Sequence, residues 1–394
     1  MTRPGAPAAD AVFIRPSVTE VLATIVRHGP MSRRDVAERT GLTAPSVTKA
    51  VRLLMDAGYL DDQATEHHGE PGLARMGRPT RVVGLRPERE LFAGINITGQ
   101  AVIGTVVDLS GTPQARRRVE CRSHDPHDVF AAVRILVSAL RRGLGPRRQR
   151  LQTACVALSG DVDRGRGIAR YSSFLGWHEV EVTMPVLRLT GLRTILDNDV
   201  HALTVAELWS GAGLGAESLA LVTIGTGVGC SLVVGGQIIR GAFDVAGELG
   251  HVILEADGPD CLCGRRGCVE AYAAEHAITS RVAAALHRDV TFDQTVSLAT
   301  AGDPTARAAF AEAGTALGRG IATMASLFGP ERVVVSPTHE AAFNLMSATL
   351  QRSYANHTYG AASRAVVLIQ PTGEDDWSRG AAVAAIEARF NVTP

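Results

Sequence analysis

The chain has 394 residues, 45% of them hydrophobic and 20% charged, with a formal net charge of zero. That composition fits a globular protein with a sizeable core and excludes a molecule that is basic throughout, so any DNA-binding surface has to be local. The length predicts two or three domains. No apolar run reaches the length of a bilayer span, so no membrane insertion is expected. The first residues, MTRPGAPAAD, hold no apolar stretch of signal-peptide length, so the cytoplasm is the expected location.

Residues 1–16 carry three prolines and no periodicity, which reads as a loose arm. From Ser17, the apolar positions Val18, Leu22, Ile25 and Val26 share one helical face. Gly29-Pro30 stops that helix. Ser32 with Asp35 three residues on is an N-cap signal, and a short helix Arg33–Arg39 follows. Gly41 supplies the left-handed C-cap. A third helix starts at Thr43 or Ala44-Pro45 and carries Val47, Val51, Leu53 and Leu54 to about Ala57.

Helix, short helix, glycine turn and helix make a helix-turn-helix. In this motif the last helix enters the major groove with its N-terminal residues foremost. Thr43, Ser46, Thr48 and Lys49 then lie near bases or phosphates, with Arg52 further along. Arg33 and Arg34 fall near the DNA backbone. Asp61-Asp62, a glycine- and proline-bearing loop with Arg75 and Arg78, and a strand-like Val82–Leu85 read as a wing. Residues 71–86 contain four arginines and no acid, so the wing tip is cationic, as suits the negative minor groove. The DNA-binding domain is thus expected over 17–86. Lys49 is the only lysine in the chain.

From Leu91 strand-like and helix-like segments alternate, the α/β pattern. Expected strands are Leu91–Ile97, Ala101–Asp108, Thr153–Leu158, Thr194–Leu196, Leu219–Ile224, Cys230–Val234 and Arg332–Val335. Expected helices are 126–142, 199–210, 270–286, 304–328, 338–353 and 376–390. Six cysteines do not make a disulfide framework in a chain of this size. Cys121, Cys155 and Cys230 are scattered and read as buried thiols. Cys261, Cys263 and Cys268 crowd together.

Four stretches carry further information: Leu196-Asp197-Asn198-Asp199, Ile224-Gly225-Thr226-Gly227-Val228-Gly229, Gly247-Glu248-Leu249-Gly250-His251, and the run from Cys261 to Glu270. In this order and spacing they resemble the ROK family (repressors, open reading frames, kinases), including its repressor branch with an N-terminal winged helix. The resemblance covers nearly the whole chain. It implies an α/β, actin-like (ribonuclease H-like), two-lobed sugar-kinase fold over 87–394, behind an N-terminal all-α winged helix-turn-helix domain. One lobe would take 91–197 plus 376–394, the other 198–375. It also implies a homodimer or homotetramer.

The same resemblance gives residues roles. Asn198, Asp199, Glu248, His251 and Glu270 match positions that hold the sugar, and Asp199 matches the kinase base. Gly160 falls in a turn where the family has Pro-Gly, with Ser159 departing from it. His251 with Cys261, Cys263 and Cys268 forms a set of three thiolates and one imidazole. That set suits a structural, four-coordinate zinc, leaving one ring nitrogen of His251 for a sugar hydroxyl.

The nucleotide loops are altered. Where kinases of the family have Asp-x-Gly-Gly-Thr-Lys, this chain has Asn96-Ile97-Thr98-Gly99-Gln100. The second loop, Gly225, Thr226 and Gly227, survives, but Ser336-Pro337 replaces a glycine pair, and proline removes a backbone donor. Phosphoryl transfer needs positioned metal and charge, so no kinase activity is expected. The resulting expectation is a sequence-specific DNA-binding regulator of carbohydrate genes, a repressor, whose hold on a double-stranded operator is set by a sugar or sugar phosphate. Two alternatives remain at this point: an active ATP-dependent, glucokinase-like sugar kinase with a fused DNA-binding module, and a repressor controlled by a protein partner.

Overall fold

The structure is a computed structural model and describes residues 13, 15–63 and 81–390. The N-terminal domain holds α1 (Pro16–His28), β1 (Met31–Ser32), α2 (Arg33–Thr40), α3 (Ala44–Asp56), β2 (Leu60–Gln63) and β3 (Val82–Leu85). The local signals act as expected. Ser32 and Asp35 cap α2 reciprocally, at 3.2 and 3.3 Å, and Gly41 ends it at φ 67°. Thr43 caps α3 by accepting from the Ser46 N–H at 3.4 Å. Val47, Ala50, Val51 and Leu54 bury one face of α3 against α1 and α2. The domain expected to be all-α also has a three-stranded antiparallel sheet, because the wing strands need a partner and find it in β1, in the order β1-β3-β2.

The chain continues through β4 (Leu91–Ile97), β5 (Ala101–Asp108), β6 (Pro113–Glu120), α4 (Pro126–Leu144), β7 (Leu151–Leu158), β8 (Asp161–Asp163), β9 (Ile168–Ser172), β10 (Trp177–Glu181), α5 (Thr183–Thr190), β11 (Arg193–Asn198) and α6 (Asp199–Ser210). Five of these strands form a sheet in the order β11-β7-β4-β5-β6. The second half comprises β12 (Ser218–Ile224), β13 (Val228–Val234), β14 (Gln237–Ile238), α7 (Val269–Ala273), α8 (Glu275–Leu286), α9 (Phe292–Ala301), α10 (Pro304–Phe328), β15 (Arg332–Pro337), α11 (Glu340–His357), β16 (Val366–Ile369) and α12 (Glu374–Phe390). Its sheet runs β14-β13-β12-β15-β16. The helix expected over 270–286 is two helices. Ala274 is extended (ψ 153°), which lets the Glu275 N–H reach the Gly225 carbonyl at 3.0 Å. Among the described residues no helix is long and apolar enough to cross a membrane.

Helix α12 returns to the first lobe and is held there backbone to backbone. A Cβ on Gly94 of β4 would lie 1.8 Å from the Ser378 carbonyl, and one on Gly380 would lie 2.7 Å from that of Ala202 in α6. Only glycine admits such an approach. One face of α6 joins the core of the first lobe through Ala202, Val205 and Ala206, and another joins the second through Leu203 and Leu208. At the far end of α12, Phe390 packs edge-on against Phe13, Tyr59 and Phe92, with centroids 4.9–5.9 Å apart. The Tyr59 hydroxyl donates to Glu90 at 2.8 Å, and Arg389 holds the other oxygen of that carboxylate at 3.1 Å. The DNA-binding domain therefore shares a continuous core with the first lobe. Phe390→Ala should destabilise the protein by about 3–5 kcal/mol, as large-to-small changes in packed aromatic cores do. Denaturant unfolding checks this, and a decrease under about 1 kcal/mol would show that the two domains do not depend on this ring cluster.

Candidate functional site

Strand β11 delivers Asp197, Asn198 and Asp199 to the start of α6. The amide of Asn198 is largely committed to architecture. Its Oδ1 caps α6 by accepting from the N–H groups of Val200 and His201, at 2.8 and 3.2 Å, and its Nδ2 donates to the Gly160 carbonyl at 3.1 Å. One amide hydrogen remains for a ligand. Gly160, at φ 127°, has no room for a side chain, since a Cβ would lie 2.3 Å from the Tyr171 carbonyl. Trp177 is buried against Phe130 and donates to the His124 carbonyl, so it supports the wall of the first lobe. Asp199 sits in the first turn of α6, where the helix dipole favours an anion. Burial nevertheless pushes its carboxyl up to about 6, against a hydrogen bond from the Val200 N–H.

Glu248, His251 and Glu270 approach from the second lobe. The loop Gly247–Gly250 lies flat on β13, where side chains at Gly247 and Gly250 would meet the carbonyls of Cys230 and Val228 at 2.4 and 2.2 Å. Partial desolvation raises the Glu248 carboxyl. His251 and His201 pull it back, and Asp161 and Glu270 push it further up. Asp199 also feels Glu248. Glu270 is buried and accepts from the Val228 N–H at 3.0 Å. Three carboxylates and an imidazole thus share one electrostatic neighbourhood at the lobe boundary.

Behind the loop, the ligand atoms of His251, Cys261, Cys263 and Cys268 all lie within 4.8 Å of one another. A tetrahedral metal with thiolate bonds of about 2.3 Å requires sulfur–sulfur edges of about 3.8 Å. Cys263 and Cys268 are 3.8 Å apart, and Cys261 Sγ is 3.7 Å from Nδ1 of His251. The donor set and its spacing therefore fit a tetrahedral metal. Nδ1 faces the thiols, which leaves Nε2 directed elsewhere. Gly267, at φ 70°, makes the wrap possible, because a Cβ would strike the Glu255 carbonyl at 1.7 Å.

The sequence did not signal a buried charge cluster beside the site. Asp197 is fully buried and receives Arg240 bidentately at 2.6 and 2.9 Å, with Arg164 at 3.8 Å. Burial alone would raise its carboxyl, but Arg240, His201 and Arg164 hold it well below the usual carboxylate range. Arg240 comes 43 residues after Asp197, so no local spacing could have revealed the pair.

The first loop expected to face phosphate, 96–100, is closed on itself. Thr98 Oγ1 accepts from the N–H groups of Gln100 and Ala101, at 3.3 and 3.1 Å, so these amides do not point at a phosphate. Asn96 is buried, and among the described residues its Oδ1 has no hydrogen-bond partner. The Gly99 carbonyl lies 3.0 Å from Nε2 of His124 and accepts from it. In the second loop, Gly225 N–H goes to Gly227 O, and Thr338 presses where a Cβ on Gly225 would be, 2.3 Å away. Thr226 offers its carbonyl to His276 at 3.4 Å, and Gly227 abuts Glu270. Beside the loop, Pro337, Phe292 and His339 line a narrow apolar crevice, with the last two rings 5.5 Å apart.

On the N-terminal domain, Thr43, Thr48, Lys49 and Arg52 are exposed along α3, with Ser46 half-buried beside Thr43. Arg34 is exposed at the start of α2. Arg33 and Arg81 both approach Asp62, at 3.7 and 3.5 Å, and Arg86 approaches Asp61 at 3.4 Å. The wing base is therefore less cationic than its arginine count suggests. Arg75 and Arg78 lie outside the described residues.

The ROK family profile matches residues 92–388, and this chain belongs to that family. The MarR family profile matches residues 14–69. Over 120 residues the chain is 42% identical to a glucokinase of Thermotoga maritima, a match covering 30% of this chain and 38% of that kinase. It is 23% identical over 331 residues to the xylose repressor of Bacillus subtilis, covering 83% of each. Its fold resembles that of a ROK family transcriptional regulator, a homolog of the E. coli MLC protein, with a TM-score of 0.80 and 20% identity over 96% of this chain and 98% of that one.

Because folding raises the Asp199 pKa above its unfolded value of 3.8, it favours the neutral acid. That contribution is complete below about pH 4 and disappears as pH rises through about 6. Asp199→Asn should therefore stabilise the protein at pH 8 by about 1–2 kcal/mol and leave it unchanged near pH 3.5. Urea unfolding at the two pH values checks the sign.

Proposed function

We propose that this chain is a transcriptional repressor of carbohydrate genes, acting in the cytoplasm as a homo-oligomer, whose affinity for operator DNA is set by a sugar or sugar phosphate. The observation that carries this reading is the contrast inside the second domain. The carboxylates and imidazole that suit a polyol remain grouped at the lobe boundary. The loop amides that would cradle a triphosphate are tied to Thr98 and to neighbouring carbonyls.

Asp199, Glu248 and Glu270 accept hydrogen bonds from sugar hydroxyls in this reading, and Asn198 adds one N–H and positions Gly160. His251 donates or accepts through Nε2. Zinc is the ion that best suits Cys261, Cys263, Cys268 and His251 Nδ1, and when bound it fixes the orientation of that imidazole. Thr43, Ser46, Thr48 and Lys49 face the major groove, Arg52 and Arg34 the phosphates, and Arg33 with the wing residues Arg75 and Arg78 the flanking backbone. A sugar can change DNA affinity only through a different affinity for two states of the protein. Packing offers a continuous route between the sites: Asp199 starts α6, α6 abuts α12 at Gly380, and α12 meets Tyr59 at the end of α3.

A sugar kinase fused to a DNA-binding module is the competing reading, and the 42% identity to the glucokinase segment favours it. Incubation with ATP, magnesium and a panel of hexoses and pentoses separates the two. Turnover near the ordinary enzyme range of about 1 per second or more would overturn the repressor reading. On an operator obtained by in vitro selection, a cognate sugar should shift affinity at least about fivefold, the lower range of allosteric coupling. Glu248→Ala should abolish that shift and leave DNA binding intact. If no sugar or sugar phosphate in the panel moves the affinity, the sensor claim fails. Metal analysis should return one zinc per chain, and Cys263→Ser should lose it and lower the thermal midpoint.

A further inference from the structure

A second basic surface lies outside the DNA-binding domain. Between Asp128 and Asp161 the chain contains no acidic residue and six arginines, Arg134, Arg141, Arg142, Arg147, Arg148 and Arg150. They decorate α4 and the turn that leads into β7. Three are used for architecture: Arg141 donates to the Thr190 carbonyl at 2.7 Å, Arg147 to Gln114 at 2.8 Å, and Arg150 to Glu88, whose carboxylate lies 3.4 Å away. Arg142 and Arg148 are exposed, and among the described residues neither meets a carboxylate. Arg117 of the edge strand β6 joins them, with its guanidinium 3.3 Å from where a Cβ on Gly143 would stand. In a chain of zero net charge, this segment is one-signed.

The surface is also close to the DNA-binding domain. Arg150 donates to the Glu88 carbonyl at 2.6 Å, in the turn that follows the wing strand β3. In the same turn Arg89 donates to the Ala57 carbonyl at 2.8 Å, at the end of α3. The arginine turn thus lies one short loop from the C-terminal end of the helix expected in the groove. It occupies the end of the first-lobe sheet from which the DNA-binding domain projects, beside Leu91 and Leu151.

We propose that this arginine face, centred on Arg117, Arg142 and Arg148, is a second DNA-binding surface that takes the phosphate backbone of duplex flanking the site read by α3. The inference rests on the repressor reading above. Exposed guanidinium groups fit phosphate bidentately, and such pairs add affinity without reading sequence. The regulatory domain is then part of the DNA footprint.

The test uses the full chain and two random-sequence duplexes, one of about 16 base pairs and one of about 40, since a single winged helix needs little more than one helical turn. Binding is followed by fluorescence anisotropy over a range of salt concentrations. The variant Arg117→Gln/Arg142→Gln/Arg148→Gln should lower the salt slope on the long duplex by about 0.9 for each phosphate it no longer neutralises, up to about 2.7, and weaken binding at least about tenfold. On the short duplex its slope should match that of the unaltered protein. Equal slopes on the long duplex would overturn the proposal. An unchanged slope with loss of self-association in sedimentation would also overturn it, assigning the face to a second copy of this chain. Lys49→Ala separates the two readings. It should weaken binding to both duplexes, and a protein that binds neither duplex at all would sink the repressor reading itself.

Discussion

The architecture depends on the close packing of one helix: the backbone of α12 lies against β4 at Gly94 and against α6 at Gly380, with no side chain between them. Packed interiors switch between discrete arrangements and do not deform smoothly. At that crossing no soft side chain separates the two helices, and the last turn of α12 holds Phe390 in the ring cluster with Phe13, Tyr59 and Phe92. The C-terminal helix is therefore a structural element of three bodies at once. The buried Asp197–Arg240 pair braces the strand end from which α6 departs.

The two sides of the lobe boundary differ for a chemical reason visible in individual hydrogen bonds. A phosphate loop works because its N–H groups are unsatisfied until the anion arrives. Thr98 supplies an internal acceptor in place of that anion, and Thr338 fills the space against Gly225. The side proposed to take a polyol is in the opposite condition. Asp199 and Glu248 remain desolvated acceptors with raised pKa values, a state compatible with the proposed hydroxyl contacts.

Much of this was legible in the sequence. The capping pair Ser32–Asp35, the C-cap at Gly41 and the cap at Thr43 are local signals, and local hydrogen bonds honour them. The Cys/His spacing and the four stretches between Leu196 and Glu270 were equally readable. The omissions have specific causes. Strand β6, PQARRRVE, shows no alternation of apolar residues, because it is an edge held by pairing with β5 and by ion pairs to Glu374 and Asp375. The small strands β8 to β10, with β14 and β16, were missed, as were the helices α5 and α9, which are short. The break at Ala274 has no glycine or proline to announce it, since its cause is the distant Gly225 carbonyl. Within the site, Asp161, Arg164 and Arg240 went unseen because only the fold brings them to Asp197 and Glu248, whereas His201, four residues after Asp197, was within reach of local spacing and was passed over.

The arginine bias of the chain has a practical consequence. Its one lysine, Lys49, is exposed on α3 and hydrogen-bonds to nothing among the described residues. Apart from the α-amino group, every primary amine that an acylating label, a formaldehyde fixative or an amine-coupled sensor chip can find is that single side chain. Such reagents would cap Lys49 on the helix proposed to face the groove, so a preparation immobilised or tagged there would lose a DNA contact for reasons of handling alone.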